Sequence, residues 1–442
     1  MKIAMLGAVT ATNAPCGLLA RETSQKAQFD RQRKIRRPGS RIKSVIRREE
    51  TILRLGGNGD NYHMSWAKDD RQYTSVCDGA GWNDNSMPFN SRMWMISGEP
   101  SDARFENVAG YPYLTGLATE PSSPRYYAFG TLAIDEHIYQ FLSTNSGPRE
   151  GIPTNEWFSG IKLIYSPDQG RTWCNSDGST PVVWEPWGQR SRDNMTFFGE
   201  SQGAFSVISV LQMGKNYESN RDGYVYLYAQ NGNVDGTANE LVLVRTPKLK
   251  VLDRREYEFF EGLQANGEAR WTKDILARRV VHTFPRGWVG SHPHSWIPSV
   301  VYNETLGVFL MASWGARWGR GQQANGEFSP HPSYLGFWTA PHPWGPFEQV
   351  HEEVSWAPGG DLNARAYEPQ IAPKWIAPDG KSFWLVWTDF QSTNSKELWS
   401  LFDEVLTSPN PDRKRVEGWM TRQKKMQPYY AFNVQRVDLV TE

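Results

Sequence analysis

The chain has 442 residues, with 48 basic and 48 acidic side chains and therefore no formal net charge. The charge is unevenly spread: residues 31–48 hold nine Lys or Arg and no acid, and the remainder after residue 48 carries a net charge of −10, which argues against a nucleic-acid-binding body. The three cysteines, Cys16, Cys77 and Cys174, exclude a disulfide framework, and no run approaches the ~20 apolar residues of a membrane-spanning helix.

The chain starts MKIAMLGAVTATNAPCGLLA, a weakly apolar stretch interrupted by Thr, Asn and Pro without a clean small-residue cleavage site. It reads as a weak export signal, which would make the protein secreted or extracytoplasmic; a cytoplasmic location is the alternative. The basic stretch RQRKIRRPGSRIKSVIRR, which could touch an anionic polymer or a membrane surface, reads more simply as a solvated, disordered arm. Residues 1–48 are thus an N-terminal extension, and residues 49–442 form one domain.

Within that domain a two-strand unit recurs five times: Tyr62–Cys77, Tyr126–Leu142, Phe205–Tyr228, Trp296–Trp314 and Tyr367–Trp387. Each copy is an apolar run, a polar turn and an aromatic-rich run, with the period-two alternation of strands. A third apolar strand follows each: Arg92–Ser97, Ile161–Ser166, Leu241–Arg245, Tyr334–Thr339 and Tyr429–Val437. Such repetition predicts an all-β, five-bladed β-propeller with long loops. Thr51–Leu55 precedes the first copy and is expected to complete the last one, closing the ring. The 20 Trp suit broad sheet interfaces and also sugar-stacking platforms.

In such a fold the start of each inner strand and the end of the next lie on one face, and the turn between them lies on the other. The turn residues Asp69, Asp70, Asp135, Glu136, Asp222, Asn303, Glu304 and Asp379 are therefore structural, chosen because Asp and Asn accept turn dihedrals. The opposite face receives Asp60, Asn61, His63, Glu200, Gln202, His292, His294, Glu368 and Gln370 from strand entries, and Asp78, Asn231, Trp314 and Asp389 from strand ends. Asp60, Glu200 and Glu368 are the carboxylates that could converge at a pore mouth. Paired carboxylates among aromatic residues are what glycosidic bond cleavage uses, one as acid and one as base or nucleophile. The alternative is that they cap loops or bind a structural cation. His292 and His294 in SHPHSW are two imidazoles, short of the three ligands of a catalytic zinc site, so no metal site is assigned. No cofactor is expected, although a central calcium held by carboxylates and water is compatible with the residues.

Ser166–Trp173 reads SPDQGRTW, which matches the Asp-box of sialidases and other propellers, a structural turn remote from catalysis. The segments GDNYHMSWAKDDRQYTSVCDGAGW, GKNYESNRDGYVYLYAQNG and YEPQIAPKW resemble a family of five-bladed propellers long catalogued as a domain of unknown function, some of whose members are endo-D-arabinanases. The resemblance spans roughly Thr51 to Asp389, and TAPHPWGPF is similar to a turn of other five-bladed furanosidases. It implies Asp60, in the GDN motif, as a catalytic carboxylate, with Glu200 and Glu368 competing for the partner role. Tyr62, His63 and Met64 depart from the Trp-Pro-rich segment usual there, at positions expected to line the pocket.

The sequence thus predicts a glycoside hydrolase acting on a furanose-containing, arabinan-like or related polysaccharide. Asp60, Glu200 and Glu368 are the catalytic candidates. Asn61, His63, Asp78, Trp82, His292, His294, Trp314, Gln370 and Asp389 are the substrate-binding candidates. The alternative is a carbohydrate-binding propeller without catalysis. A carbohydrate polymer or oligosaccharide is the expected partner in both cases, with no nucleic acid and no integral membrane segment.

Overall fold

The computed structural model describes residues 42–83, 89–115, 125–144, 151–152, 158–232, 239–285, 297–316, 332–391 and 412–442. It divides into two units, Met1–Gly39, which lies outside the described residues, and Ser40–Glu442. The larger unit is mostly β, with four sheets among the described residues.

Each repeated unit forms an antiparallel meander. The inner strands are Met64–Trp66, Tyr127–Ile134, Ile208–Val210, Ser299–Asn303 and Ala366–Ile376, and each pairs with the strand that follows its turn. The expected third strands extend to Phe89–Ser97, Gly160–Ser166, Glu240–Pro247, Ser333–Ala340 and Ala431–Thr441. Turn chemistry explains the hairpins. Asp70 and Asp135 sit at φ 69° and 54°, and the Asp69, Asp222 and Asp379 carboxylates accept backbone N–H bonds from Arg71, Tyr224 and Lys381.

The inner strands touch one another in cyclic order, first to second and onward, with the fifth returning to the first. Polar side chains stitch successive strands together. Ser65 Oγ accepts from Ala133 N (2.9 Å), Gln212 Nε2 donates to Thr131 O (3.0 Å), Ser299 Oγ accepts from Ile371 N (2.9 Å), and Gln72 Oε1 accepts from Lys374 N (3.1 Å). Apolar clusters fill each interface between meanders. Between fifth and first, for example, Ala372, Trp375, Val386 and Phe432 pack on Tyr62, Met64, Val76 and Trp94. Burying side chains of this size stabilises by roughly 1.5–3 kcal/mol each.

The last meander is completed by two N-terminal segments. Leu53–Asp60 pairs with Ala431–Thr441 on one edge and with Gln72–Gly81 on the other, so the first and last meanders share one sheet. Ile42–Arg47, which the sequence placed in the basic arm, is a strand paired with the same C-terminal strand from Ile42↔Thr441 to Arg47↔Val437. The boundary at residue 48 therefore moves toward the N-terminus. Ile42 and Val45 are buried against Val437 and Leu439, two apolar anchors hidden in a run dominated by charge. A helix, Arg413–Met426, precedes the C-terminal strand; Asp412 caps it by accepting from Lys414 N, and Val416, Trp419, Met420 and Gln423 form its buried face.

The SPDQGRTW segment turns from Gly160–Ser166 into Cys174–Asn175. Asp168 accepts from Thr172 N (2.8 Å) and Thr172 Oγ1 (2.7 Å), Ser166 Oγ accepts from Gly170 N (2.7 Å), and Trp173 packs edge-on against Tyr111.

Candidate active site

Asp60 ends the strand Leu53–Asp60, opposite Cys77. Gly59 before it sits at φ 137°, where a Cβ would lie 2.7 Å from Cys77 O, so the GD step depends on glycine to bring the backbone this close. Asn61 then takes the left-handed φ of 58°, and Glu368, in the fifth inner strand, takes 52°. Left-handed backbone at non-glycine residues costs on the order of 1–3 kcal/mol and concentrates at functional sites. The two residues are directly joined: Asn61 N–H donates to Glu368 Oε2 (3.1 Å), while Asn61 Nδ2 donates to Asp60 Oδ1 (2.8 Å).

Two phenols complete the shell. Tyr367 donates to Asp60 Oδ2 at 2.7 Å and Tyr430 at 3.0 Å. Tyr430, which follows the helix Arg413–Met426, also reaches Asp78 O at 3.3 Å, and the helix is tied to this region where Asn58 Nδ2 donates to Gln423 Oε1. Phe390 is stacked between the two tyrosines, with ring centroids 4.9 Å from each.

Asp60 is 6% exposed and Glu368 4%. Burial first, then the Asp78 charge, pushes the Asp60 carboxyl well above its usual range, against the pull of its three hydrogen-bond donors. Burial, then the charge of Asp60, does the same to Glu368, opposed by the Asn61 N–H. Two carboxyls this close in a dry site titrate as a pair and hold a proton to higher pH than either would alone. Asp60 accepts three side-chain donors and Glu368 one backbone donor, so hydrogen bonding favours the charged form more at Asp60 than at Glu368.

Two residues beyond each of these strained positions, His63 and Gln370 line a cavity between the inner strands, together with Phe129, Thr131, Ser209 and Ser299. Burial pushes the His63 imidazole down to about 3, so it is neutral. His63 Nε2, Ser209 Oγ and Gln370 Nε2 have no hydrogen-bond partner among the described residues. These and the neighbouring hydroxyl and amide oxygens are the groups that could meet a water or hydrated cation. Among the described residues no group of three or more His, Cys, Asp or Glu gathers to hold a metal ion.

The other sequence candidates fall elsewhere. Glu200 lies on the same face, because Phe197–Phe198 pairs with Gly160–Ile161 at the strand ends where Thr144 also lies. It faces arginines rather than the Asp60 pair, with Arg192 Nη2 3.4 Å from its Oε2. Asp78 adjoins the pair through its charge and through Tyr430. Asp389 is fully buried and accepts from Arg365 N (2.7 Å) and Gln391 N (2.9 Å), which makes it a turn anchor out of reach of a substrate. Trp314 and Trp82 do not offer the expected sugar-stacking faces. Trp314 is 0% exposed and packs on Tyr367, while Trp82 stacks on Phe105 at 3.9 Å and donates to Leu55 O. His292 and His294 lie outside the described residues. Sequence reasoning missed Tyr367, Phe390 and Tyr430 as site residues; Tyr367 precedes a candidate acid, but Tyr430 carries no local signal.

No protein-family model and no curated protein matches the sequence. Among solved structures, the chain is similar to a provisionally assigned hydrolase of Bacteroides ovatus, at 13% identity and TM-score 0.45 over 87% of each chain. It is similar also to a thermostable family-43 glycoside hydrolase, at 11% identity and TM-score 0.41 over 88% of this chain and 90% of that one. A third is the catalytic domain of a Coprinopsis cinerea GH62 alpha-L-arabinofuranosidase, at 10% identity and TM-score 0.36 over 91% and 98%.

Proposed function

We propose that the chain is a glycoside hydrolase built on a five-bladed propeller, acting outside the cytoplasm on a furanose-containing, arabinan-like or related polysaccharide. The meanders and their cyclic contacts support the ring. The observation that carries the activity is the Asp60–Glu368 pair, two buried carboxyls joined by Asn61 and surrounded by Tyr367, Phe390 and Tyr430. Glu368 holds the proton and gives it to the leaving glycosidic oxygen. Asp60, charged and steadied by three donors, serves as nucleophile or base at the anomeric carbon. An anionic carboxylate offers about four lone-pair sites, so three donors leave Asp60 one acceptor position for water or substrate. Glu200 is the competing acid, and its ion pair with Arg192 places it in a different electrostatic setting.

The depth of both carboxyls favours one other reading, a carbohydrate-binding propeller in which the pair orders the mouth without cleaving. Reducing-end release from a polysaccharide panel separates the two. The enzyme reading requires release by the native chain and its loss, by on the order of 10³-fold or more, in Asp60→Asn and Glu368→Gln. Binding without release supports the alternative.

A further inference from the structure

The mouth has a second pole. Around Glu200 stand Arg192, Arg254 and Arg278, contributed by segments far apart in sequence. Arg192 Nε donates to Phe198 O (3.2 Å) and its Nη2 lies 3.4 Å from Glu200; its side chain is 69% exposed. Arg278 is fully engaged, donating to Asn231 Oδ1 (2.8 Å), Asn231 O (3.1 Å), Ile275 O (3.1 Å) and Ser201 O (3.4 Å), and so holds the Glu200–Ser201 turn in place. Arg254 is different. Its guanidinium lies 4.5 Å from the ring centroid of Phe197 and 5.1 Å from that of Phe259, half-buried, near enough for the Glu200 charge to act on it, and it donates no hydrogen bond among the described residues.

Counting Glu240, which accepts from Asn231 beside Arg278, three guanidiniums meet two carboxylates. One positive charge is left over, on a body whose net charge is −10 and on the face that carries the Asp60 pair. A planar fork pre-oriented on aromatic rings, with unspent donors, is the geometry that recognises an oxyanion bidentately. A substrate laid across the mouth would meet carboxyls at one end and guanidiniums at the other.

We infer that the Arg192–Arg254 corner is a subsite for a negatively charged substituent of the glycan, a uronate carboxylate or a sulfate ester. This rests on the reading of the mouth as a glycan site, and it names the substrate class as acidic.

The test uses Asp60→Asn protein, so that binding is read apart from turnover. Calorimetry compares trigalacturonate with its neutral methyl ester, and a sulfated agaro-oligosaccharide with its desulfated form. At least tenfold tighter binding of the acidic member of one pair is expected, and which pair responds tells carboxylate from sulfate. Adding Arg254→Met, which keeps the stem on Phe197, or the exposed Arg192→Ala should remove about tenfold of that preference, with unchanged melting temperature in the Arg192 variant as the folding control. No discrimination within either pair, or a preference that survives both arginine changes, overturns the inference. Arginine-dependent binding of an acidic glycan without release by native protein would instead sink the hydrolase reading and leave the subsite standing, whereas Asp60-dependent release from neutral arabinan with no acidic preference does the reverse.

Discussion

Tyr430 donates its phenol proton to Asp60 Oδ2 at 3.0 Å, joining residues 370 apart in sequence. Asp60 ends Leu53–Asp60 and Tyr430 immediately precedes Ala431–Thr441, two strands that pair along one sheet, so the pairing that completes the last meander also brings these two residues together. A hydrogen bond to a charged acceptor contributes about 1.5–3 kcal/mol. Tyr430→Phe removes a donor that stabilises ionised Asp60, so the Asp60 pKa rises. The acid limb of the pH–rate profile should move to higher pH, and kcat/KM at neutral pH should fall roughly tenfold to a hundredfold. A profile that keeps its acid limb would show that Tyr430 does not act through Asp60.

The buried pair also sets a stability cost. Both carboxyls have folded-state pKa values above their unfolded values, so the native chain binds more protons than the unfolded one, and stability falls as pH rises from about 4 through the raised values. Glu368→Gln removes one member and, with it, the proton that the native chain must take up on folding. At pH 7 this variant should be inactive yet more stable by about 0.5–2 kcal/mol, a trade of stability against function common at active sites. At pH 4 the gain should vanish. Denaturant unfolding at the two pH values checks this, and a gain independent of pH would exclude the shared-proton account.

Much of the fold was legible because period-two alternation and turn residues are local: every repeated unit is a hairpin at the expected place. Strand ends placed Asp60, Glu200 and Glu368 on one face, and Asn61 joins the first and last of them there. What strand ends do not convey is which side of the sheet a residue faces, and a one-residue change reverses it. Trp314 ends its strand at the mouth but points into packing against Tyr367. Glu200 is at the right face, yet its setting is fixed by Arg254 and Arg278, which no spacing links to it. Ile42–Arg47 was hidden because five polar or charged neighbours outweigh Ile42 and Val45 in any composition window.

That strand supplies a latch with a defined pH response. Arg47 Nη2 donates to Glu353 Oε2 at 2.7 Å, and His351 Nε2 lies 2.9 Å from Glu353 Oε1, which joins the N-terminal strand to the outer strand of the fourth meander, Glu348–Trp356. Burial alone would raise the Glu353 pKa, but the hydrogen bonds from His351 and Arg47 and the Arg47 charge hold it down at about 2. A carboxyl depressed in the folded state contributes stability above its unfolded pKa of about 4.3 and loses it as pH falls toward 2. Arg47→Ala should therefore cost about 1–2 kcal/mol at pH 7, partly discounted for solvent screening, and little at pH 2.5. Equal costs at both pH values would assign the effect to packing of the Arg47 stem.

Phe390 packs between the two tyrosines that donate to Asp60, so both of its faces are occupied. Its ring is parallel to Tyr367 within 3° and inclined 26° to Tyr430, so it is held rigid by the same two residues that hold Asp60. It is partly exposed, unlike Trp314. Stacked aromatic contacts are worth about 0.5–1.5 kcal/mol beyond area burial, which steadies the two phenols that donate to Asp60. Phe390→Leu should therefore lower kcat about threefold to tenfold by loosening the tyrosines on Asp60, with little change in KM for a cleaved oligosaccharide. Combining it with Tyr430→Phe checks this route. If Phe390 acts independently of Tyr430, the two effects on kcat/KM multiply; if it acts through the tyrosines, the double variant is no worse than Tyr430→Phe alone in kcat.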